Sequence, residues 1–166
     1  MLSFRWKKVS GSEEPNYTLD GHLYPFFTRI LSGPEEIENN ARSIERCPVL
    51  LQEYIEKRAD IRVICIGREV FAFEIASQEH PLSIHDFRGV SPDLLRHAEH
   101  SLPCTLTEQI LKFISAQGLQ FAAIDLAWAV SGEYYFLENN PNGQWLWLEH
   151  CTGVPLTDAM LRLFFP

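Results

Sequence analysis

The sequence has little of what several common kinds of functional site need. It has four cysteines in 166 residues, none in a C-x-x-C pair, so we expect buried free thiols rather than a zinc site or a disulfide framework. No stretch approaches the roughly 18–20 consecutive apolar residues of a membrane helix. The N-terminal residues lack the apolar run of a signal peptide, and no Walker-type phosphate loop is present. The cytoplasm is the expected location.

Positive charge is also scarce. Lysine and arginine number 14 against 22 aspartate and glutamate residues, a formal net charge of −8, and no basic stripe interrupts this balance. Such a surface repels nucleic acid, so binding to DNA or RNA is not expected. An anionic small ligand would need local arginines or a divalent cation to bind.

The periodicity of apolar residues predicts an α+β protein built on an antiparallel sheet. Residues 1–45 are polar and interrupted by glycine and proline, with one helix from about Pro34 to Ser43. The elements predicted beyond them are a strand over PVLLQEYI, a hairpin of Asp60–Ile66 and Val70–Ala76, a long irregular segment over 78–103, a helix that starts with a capping box at Thr105 and Glu108 and ends at Gly118, a second hairpin of LQFAAIDLAWAV and EYYFLEN, and helices over Gln144–His150 and Pro155–Phe165.

The second hairpin predicts a pair of facing acids. A two-residue turn at Ser131-Gly132 places Asp125 directly opposite Glu138, with side chains on one face about 5 Å apart at Cβ. Asn140, two residues further along an extended strand, points the same way.

Facing carboxylates without a cation repel each other, and a hard divalent cation would relieve this repulsion. A small set of oxygen ligands is typical of magnesium that takes its remaining ligands from water and substrate phosphates. The alternative is an exposed hairpin whose acids simply face water.

Two motifs carry a resemblance to a known family. The run LENNPNGQW, preceded by AIDLAW, resembles the C-terminal signature of the ATP-grasp superfamily, especially its microviridin-type macrocyclising peptide ligases. The strand PVLLQEYI followed by ADIRVICIGREVFAFEI resembles the nucleotide clamp of the same superfamily. The resemblance implies an ATP-grasp C-terminal subdomain with an antiparallel sheet and packed helices over residues 51–166, plus a partial small subdomain over residues 1–50.

The resemblance also implies roles for individual residues. The Mg²⁺ ligands, with Mn²⁺ as a possible substitute, would be Asp125, Glu138 and Asn140. Adenine would be contacted by the segment Gln52, Glu53, Tyr54 and Ile55, and the ribose by Asp60. Arg62 and Arg88 would be catalytic and meet phosphate or an acyl-phosphate intermediate, because a planar guanidinium suits phosphate oxygens.

Several of these residues have plainer alternatives. Glu53 and Tyr54 would otherwise end an edge strand, Asp60 would cap a strand, and Arg62 would pair with a surface acid. Arg88 lies in a loop that is hard to align. Trp145 and Trp147 are predicted to pack in the interior, although Gln144 and Trp145 could border a substrate.

The activity implied is ATP-dependent joining of a carboxylate to an amine or a hydroxyl on a ribosomal precursor peptide, through an acyl phosphate. ATP and the peptide are therefore the expected partners. Relatives are longer, so we expect either a homodimer or a separate partner that carries the N-terminal portion, and Lys7 or Lys8 as a remnant of a phosphate-contacting lysine strand. Two alternatives stay open: a non-catalytic remnant that binds nucleotide or peptide, and an unrelated metal-dependent hydrolase.

Overall fold

The computed structural model describes residues 2–6, 28–31, 33–46 and 49–165. They form two compact units, Met1–Tyr54 and Ile55–Pro166. The predicted division into a partial small subdomain over residues 1–50 and a C-terminal subdomain over residues 51–166 stays a prediction. Lys7 and Lys8 lie outside the described residues, so their predicted role stays a prediction.

The first unit contains a small antiparallel sheet and one helix. Its elements are β1 (Leu2–Trp6), β2 (Arg29–Leu31), α1 (Pro34–Arg46) and β3 (Val49–Glu53). The strands are arranged in the order β2-β1-β3. Helix α1 begins at the predicted proline and ends three residues after the predicted end. Its first turn carries Glu35 and Glu36, whose negative charges stabilise the helix by interacting with the positive end of its dipole.

The second unit contains an antiparallel sheet that has five strands within the described chain. They are β4 (Lys57–Ile66), β5 (Glu69–Ile75), β6 (His97–Glu99), β7 (Phe121–Ala129) and β8 (Tyr134–Asn140), and they are arranged in the order β6-β5-β4-β7-β8. Its α-helices are α2 (Cys104–Ala116), α3 (Leu146–Thr152) and α4 (Leu156–Phe164). Both predicted hairpins are present, and the predicted α+β class with an antiparallel sheet is confirmed.

Helices cover both faces of this sheet, which is why residues 59–66 of the central strand β4 are all buried. Successive strand residues point to opposite faces. One face packs Val63 and Ile124 with Ile110 and Ile114 of α2. The other face packs Ile64, Phe73 and Ala123 with residues of α3 and α4, among them Leu148 and Leu156. Polar residues that share the second face therefore lie beneath α3.

Two details of the sequence analysis were wrong. Helix α2 begins at Cys104 with Pro103 as its N-cap residue and without a side-chain cap, so Thr105 lies inside the helix and no capping box forms. Cysteine burial was also predicted too broadly, because Cys65 is buried but Cys104 and Cys151 are exposed. All three are free thiols.

The segment between β5 and β6, which was predicted to be irregular, contains three short 3₁₀ helices. They are Ser77–Glu79, Phe87–Gly89 and Pro92–Leu94. The hydroxyl of buried Ser83 fastens this segment by donating to the carbonyls of Ser77 and His80, at 2.6 and 2.9 Å. Among the residues that the structure describes, no helix is long and apolar enough to cross a membrane.

Candidate functional site

The β7–β8 hairpin brings the predicted metal ligands together on one face of the sheet. Asp125 is opposite Glu138, and Ala123 is opposite Asn140. The predicted pairing of Asp125 with Glu138 is therefore confirmed, although the turn that was used to predict it is wrong.

The turn has three residues rather than two. The amide of Ala129 donates to the carbonyl of Glu133, and Gly132 adopts φ +93°, which is typical of a three-residue hairpin loop with glycine in the left-handed region. This loop shifts the pairing near the turn by one residue. A β-bulge in β8 between the partners of Asp125 and Leu126 restores the predicted register. The longer loop and the β-bulge, neither of which was predicted, therefore have opposite effects on the register, and the predicted pairing at Asp125 is kept.

Arg62 lies beside Asp125 as its partner on the neighbouring strand β4. Its Nη1 donates to both carboxylate oxygens of Asp125 at 2.7 and 2.8 Å. Its Nη2 donates to the carbonyl of Gln144 at 3.3 Å, and its Nε is buried without a hydrogen-bond partner among the described residues. The alternative pairing with a surface acid is wrong because both side chains are buried, at 9% exposure each.

This ion pair changes one premise of the metal prediction. The facing acids were expected to lack a nearby cation, but Arg62 supplies one. Burial nevertheless raises the pKa of Asp125 from its ordinary range to about 6, which Arg62 opposes and the neighbouring Glu138 reinforces. Asp125 therefore still lies where an additional positive charge would be stabilised.

Arg88 is held at the site by its own short 3₁₀ helix. Asp86 caps this helix by accepting from the amide of Arg88 and also accepts from Nε of Arg88 at 2.7 Å. A Cβ on Gly89 would lie 2.1 Å from the carbonyl oxygen of Leu82, so only glycine permits this close approach. Asp86 is the main cause that raises the pKa of Arg88, and Glu138 and Asp125 contribute. The guanidinium of Arg88 is thus paired with Asp86 and lies close enough to the facing acids for their charges to affect it.

A cavity of about 550 Å³ joins these side chains. Five predicted residues line it, and they are Arg62, Arg88, Asp125, Glu138 and Asn140. The remaining lining residues are Phe87, Val90, Pro92, Leu95, His97, Asn142, Gln144 and Trp147. Trp147 packs against the core, as predicted, but it also lines the cavity, which was not predicted. A tryptophan on a short helix gives no sequence signal that it faces a cavity.

The predicted adenine and ribose residues do not line this cavity. Gln52, Glu53 and Tyr54 belong to the first unit, and Ile55 begins the second. Asp60 is buried on β4, where Nζ of Lys57 donates to its two oxygens at 2.8 and 2.7 Å. Asp60 thus lies inside the strand with a fixed partner rather than capping it.

The loop after β8 closes against Arg62. The amide of Asn142 donates to Oδ1 of Asn140 at 3.0 Å, and the amide of Gly143 donates to the carbonyl of Asn140 at 3.2 Å. A Cβ on Gly143 would lie 2.5 Å from Cβ of Ala123 and 2.9 Å from Nη2 of Arg62. Glycine at this position therefore allows the loop to reach the guanidinium.

The donor atoms at this end of the cavity fit a hard divalent cation. Two carboxylates and one amide oxygen are the kind of ligands that magnesium accepts while it keeps water and phosphate oxygens. Oδ1 of Asn140 retains a second lone pair after its bond to Asn142. Within the described ranges no three His, Cys, Asp or Glu side chains cluster as metal ligands, so the Asn140 amide would be needed to complete the set.

No model of a known protein family and no curated protein matches the chain, but solved structures do. An ATP-grasp ligase from Chryseobacterium gregarium that is associated with ribosomally synthesised, post-translationally modified peptides, in complex with ADP and a leader and core peptide, matches with TM-score 0.78 and 24% identity. It covers 98% of this chain and 48% of that one. The macrocyclase MdnC from Microcystis aeruginosa MRC, bound to its precursor peptide MdnA, matches with TM-score 0.74 and 24% identity over 99% and 48%. The ligase PsnB with a phosphomimetic precursor variant, Mg and ADP matches with TM-score 0.66 and 22% identity over 97% and 46%.

These likenesses confirm the resemblance predicted from the motifs at the level of the fold, which is that of ATP-grasp ligases. The chain spans about half the length of the structures it matches.

Proposed function

We propose that this chain forms the nucleotide- and metal-binding part of an ATP-grasp ligase. The ligase would join a carboxylate to an amine or a hydroxyl on a ribosomal precursor peptide. One observation carries the proposal: the two arginines and three oxygen-bearing residues that the family motifs single out converge in a single cavity. Structures of the same fold with ADP and precursor peptides support the substrate classes.

The reaction has two steps, with ATP and the peptide as substrates. A carboxylate of the peptide attacks the γ-phosphorus of ATP, and the bond to the β–γ bridging oxygen breaks to give an acyl phosphate and ADP. An amine or hydroxyl then attacks the acyl carbon, phosphate leaves, and one proton is released. The protein's task is to orient the groups and to stabilise negative charge as it moves.

The charged residues divide this task. Arg62 and Arg88 would present guanidinium N–H donors to phosphate oxygens, since both side chains line the cavity. Asp125, Glu138 and Asn140 would hold Mg²⁺, with Mn²⁺ as a substitute, which neutralises charge on the phosphates when bound.

The nucleotide contacts extend the proposal beyond the cavity. Gln52, Glu53, Tyr54 and Ile55 would contact adenine, and Asp60, which pairs with Lys57, would contact the ribose.

The test is binding of ATP with and without Mg²⁺, measured by isothermal titration calorimetry. The double substitution Glu138→Gln with Asn140→Ala should abolish the magnesium-dependent part of ATP binding while the thermal unfolding midpoint stays close to that of the wild type. Asn139→Ala is the matched control, because Asn139 lies on the same strand and contacts Gln117 rather than the cavity.

Unchanged magnesium-dependent affinity in the double variant would contradict the proposed site. Wild-type protein that binds MgATP but releases no ADP with any precursor peptide would support a non-catalytic nucleotide-binding role instead.

A further inference from the structure

One wall of the cavity carries no formal charge and has no part in the proposed phosphate chemistry. It is made by Phe87, Val90, Pro92, Leu95, His97 and Trp147. Five of these six side chains are apolar, or aromatic with a large apolar surface, which is typical of a wall that holds an uncharged group. We call this group the apolar wall.

Trp147 holds the apolar wall together. Its ring lies edge-on to His97, with ring centroids 5.3 Å apart at 76°. It also stacks on Phe87 at 6.3 Å and 28°. These separations and angles are within the range that aromatic pairs prefer, so Phe87 and His97 support the indole from two sides.

His97 keeps this region neutral. Its Nε2 is buried and has no hydrogen-bond partner among the described residues. Burial lowers the pKa of His97 below its ordinary value, so the ring is uncharged at neutral pH. A charged side chain placed here would lose its hydration without finding an opposite charge on the wall.

The apolar wall begins beside the charged end of the cavity, where Phe87 adjoins Arg88 in the chain, and continues to the edge strand β6. His97 is on β6 and Glu138 is on β8, at opposite edges of the sheet. Four strand spacings of about 4.8 Å separate the two edges by roughly 19 Å. The cavity therefore extends well beyond the place where a phosphate group would meet Asp125 and Glu138.

We propose that the apolar wall is a specificity subsite that receives an uncharged apolar side chain of the peptide substrate, close in sequence to the carboxylate that is activated. The inference rests on the proposed function, because that function places a peptide carboxylate at the charged end of the same cavity. Continuity between the two ends is the reason to assign the wall to the peptide rather than to another ligand.

The probes are two dipeptide amides that differ at one side chain, N-acetyl-Glu-Leu-amide and N-acetyl-Glu-Ser-amide. Each is titrated into the full chain with MgADP present, and the indole N–H signal of Trp147 is followed by NMR after assignment with Trp147→Phe. The leucine probe should shift this signal and bind about tenfold or more tightly than the serine probe, because burying one leucine side chain favours binding by at least that factor.

Two substitutions locate the effect. Phe87→Ser should remove most of the preference for leucine. Leu94→Ser should keep it, because Leu94 is on the same segment but is 62% exposed and does not line the cavity. Unfolding midpoints of both variants identify any loss that comes from misfolding, and Val90→Ser then replaces a misfolded Phe87 variant.

Equal binding of the two probes, or the same loss of preference in the Leu94 variant, would overturn the subsite. Failure of the proposed function has a different signature. In that case magnesium-dependent ATP binding would be absent or insensitive to Glu138→Gln with Asn140→Ala, whatever the dipeptides do.

Discussion

The ion pair between Arg62 and Asp125 gives the most demanding test of the site's energetics. Replacing Arg62 with methionine keeps the apolar part of the side chain and removes the charge that contacts Asp125 at 2.7 and 2.8 Å. Both side chains are 9% exposed, so the remaining carboxylate would be buried without its partner. Breaking a buried pair in this way costs about 3–5 kcal/mol.

The loss of folding free energy caused by Arg62→Met should be larger at high pH than at low pH. Burial raises the pKa of Asp125 to about 6 in the folded protein, so the folded state binds this proton more tightly than the unfolded state. The resulting stabilisation is complete below the ordinary aspartate pKa and is lost as the pH rises through about 6. Without Arg62, which lowers this pKa, the loss extends to higher pH.

The difference between variant and wild type should therefore grow above pH 6. At pH 5 Asp125 is largely protonated in both proteins, and the variant loses mainly hydrogen bonds, about 1–2 kcal/mol. At pH 8 the wild-type carboxylate is ionised beside Arg62, and the full cost of about 3–5 kcal/mol is expected. Each pH unit between the two folded pKa values adds about 1.4 kcal/mol.

Urea unfolding at pH 5 and pH 8 measures both values. Tryptophan fluorescence is a suitable signal because three of the four tryptophans lie in the second unit. Arg162→Met is the control, since Arg162 pairs with Glu69 at 3.0 Å but the two side chains are 58% and 48% exposed. Its cost should stay within about 1 kcal/mol at both pH values. A cost below about 1 kcal/mol for Arg62→Met at pH 8, or an equal cost at both pH values, would refute the reasoning.

Two further predictions concern packing. Gly143→Ala should lower the free energy of unfolding by about 1–3 kcal/mol, because the added Cβ would meet Ala123 and Arg62. Gly33→Ala is the control and should change the free energy of unfolding little, because no atom lies within 4 Å of the added carbon. Equal effects of the two substitutions in urea unfolding would contradict this account. Alkylation of the native protein at pH 8, followed by mass spectrometry, should modify the exposed Cys104 long before the buried Cys65. Burial raises the pKa of Cys65 to about 12, so little reactive thiolate is present. Rapid modification of Cys65 would contradict this and show that the sheet opens at this strand.

Local patterns in the sequence were sufficient for most of the fold. The runs of β4 and β5 flank Gly67-Arg68, and the structure pairs them around that turn, from Ile66 with Glu69 to Asp60 with Ile75. The facing of Asp125 and Glu138 was also predictable, but only because a longer turn and a β-bulge offset each other. A bulge has no reliable sequence signal, so the agreement there depends on tertiary packing that the register calculation did not include.

The sequence by itself determined the antiparallel hairpins, the alternation that places Asp125, Glu138 and Asn140 on one face, and the motifs that resemble ATP-grasp ligases. These depend on strand periodicity and on residues close along the chain. Tertiary structure alone decided that Arg62 pairs with Asp125, 63 positions away, and that the segment after β5 brings Arg88 and Phe87 to the same cavity as Trp147. Such contacts join strands and loops distant in sequence, and their partners are set by how the sheet and its covering helices pack.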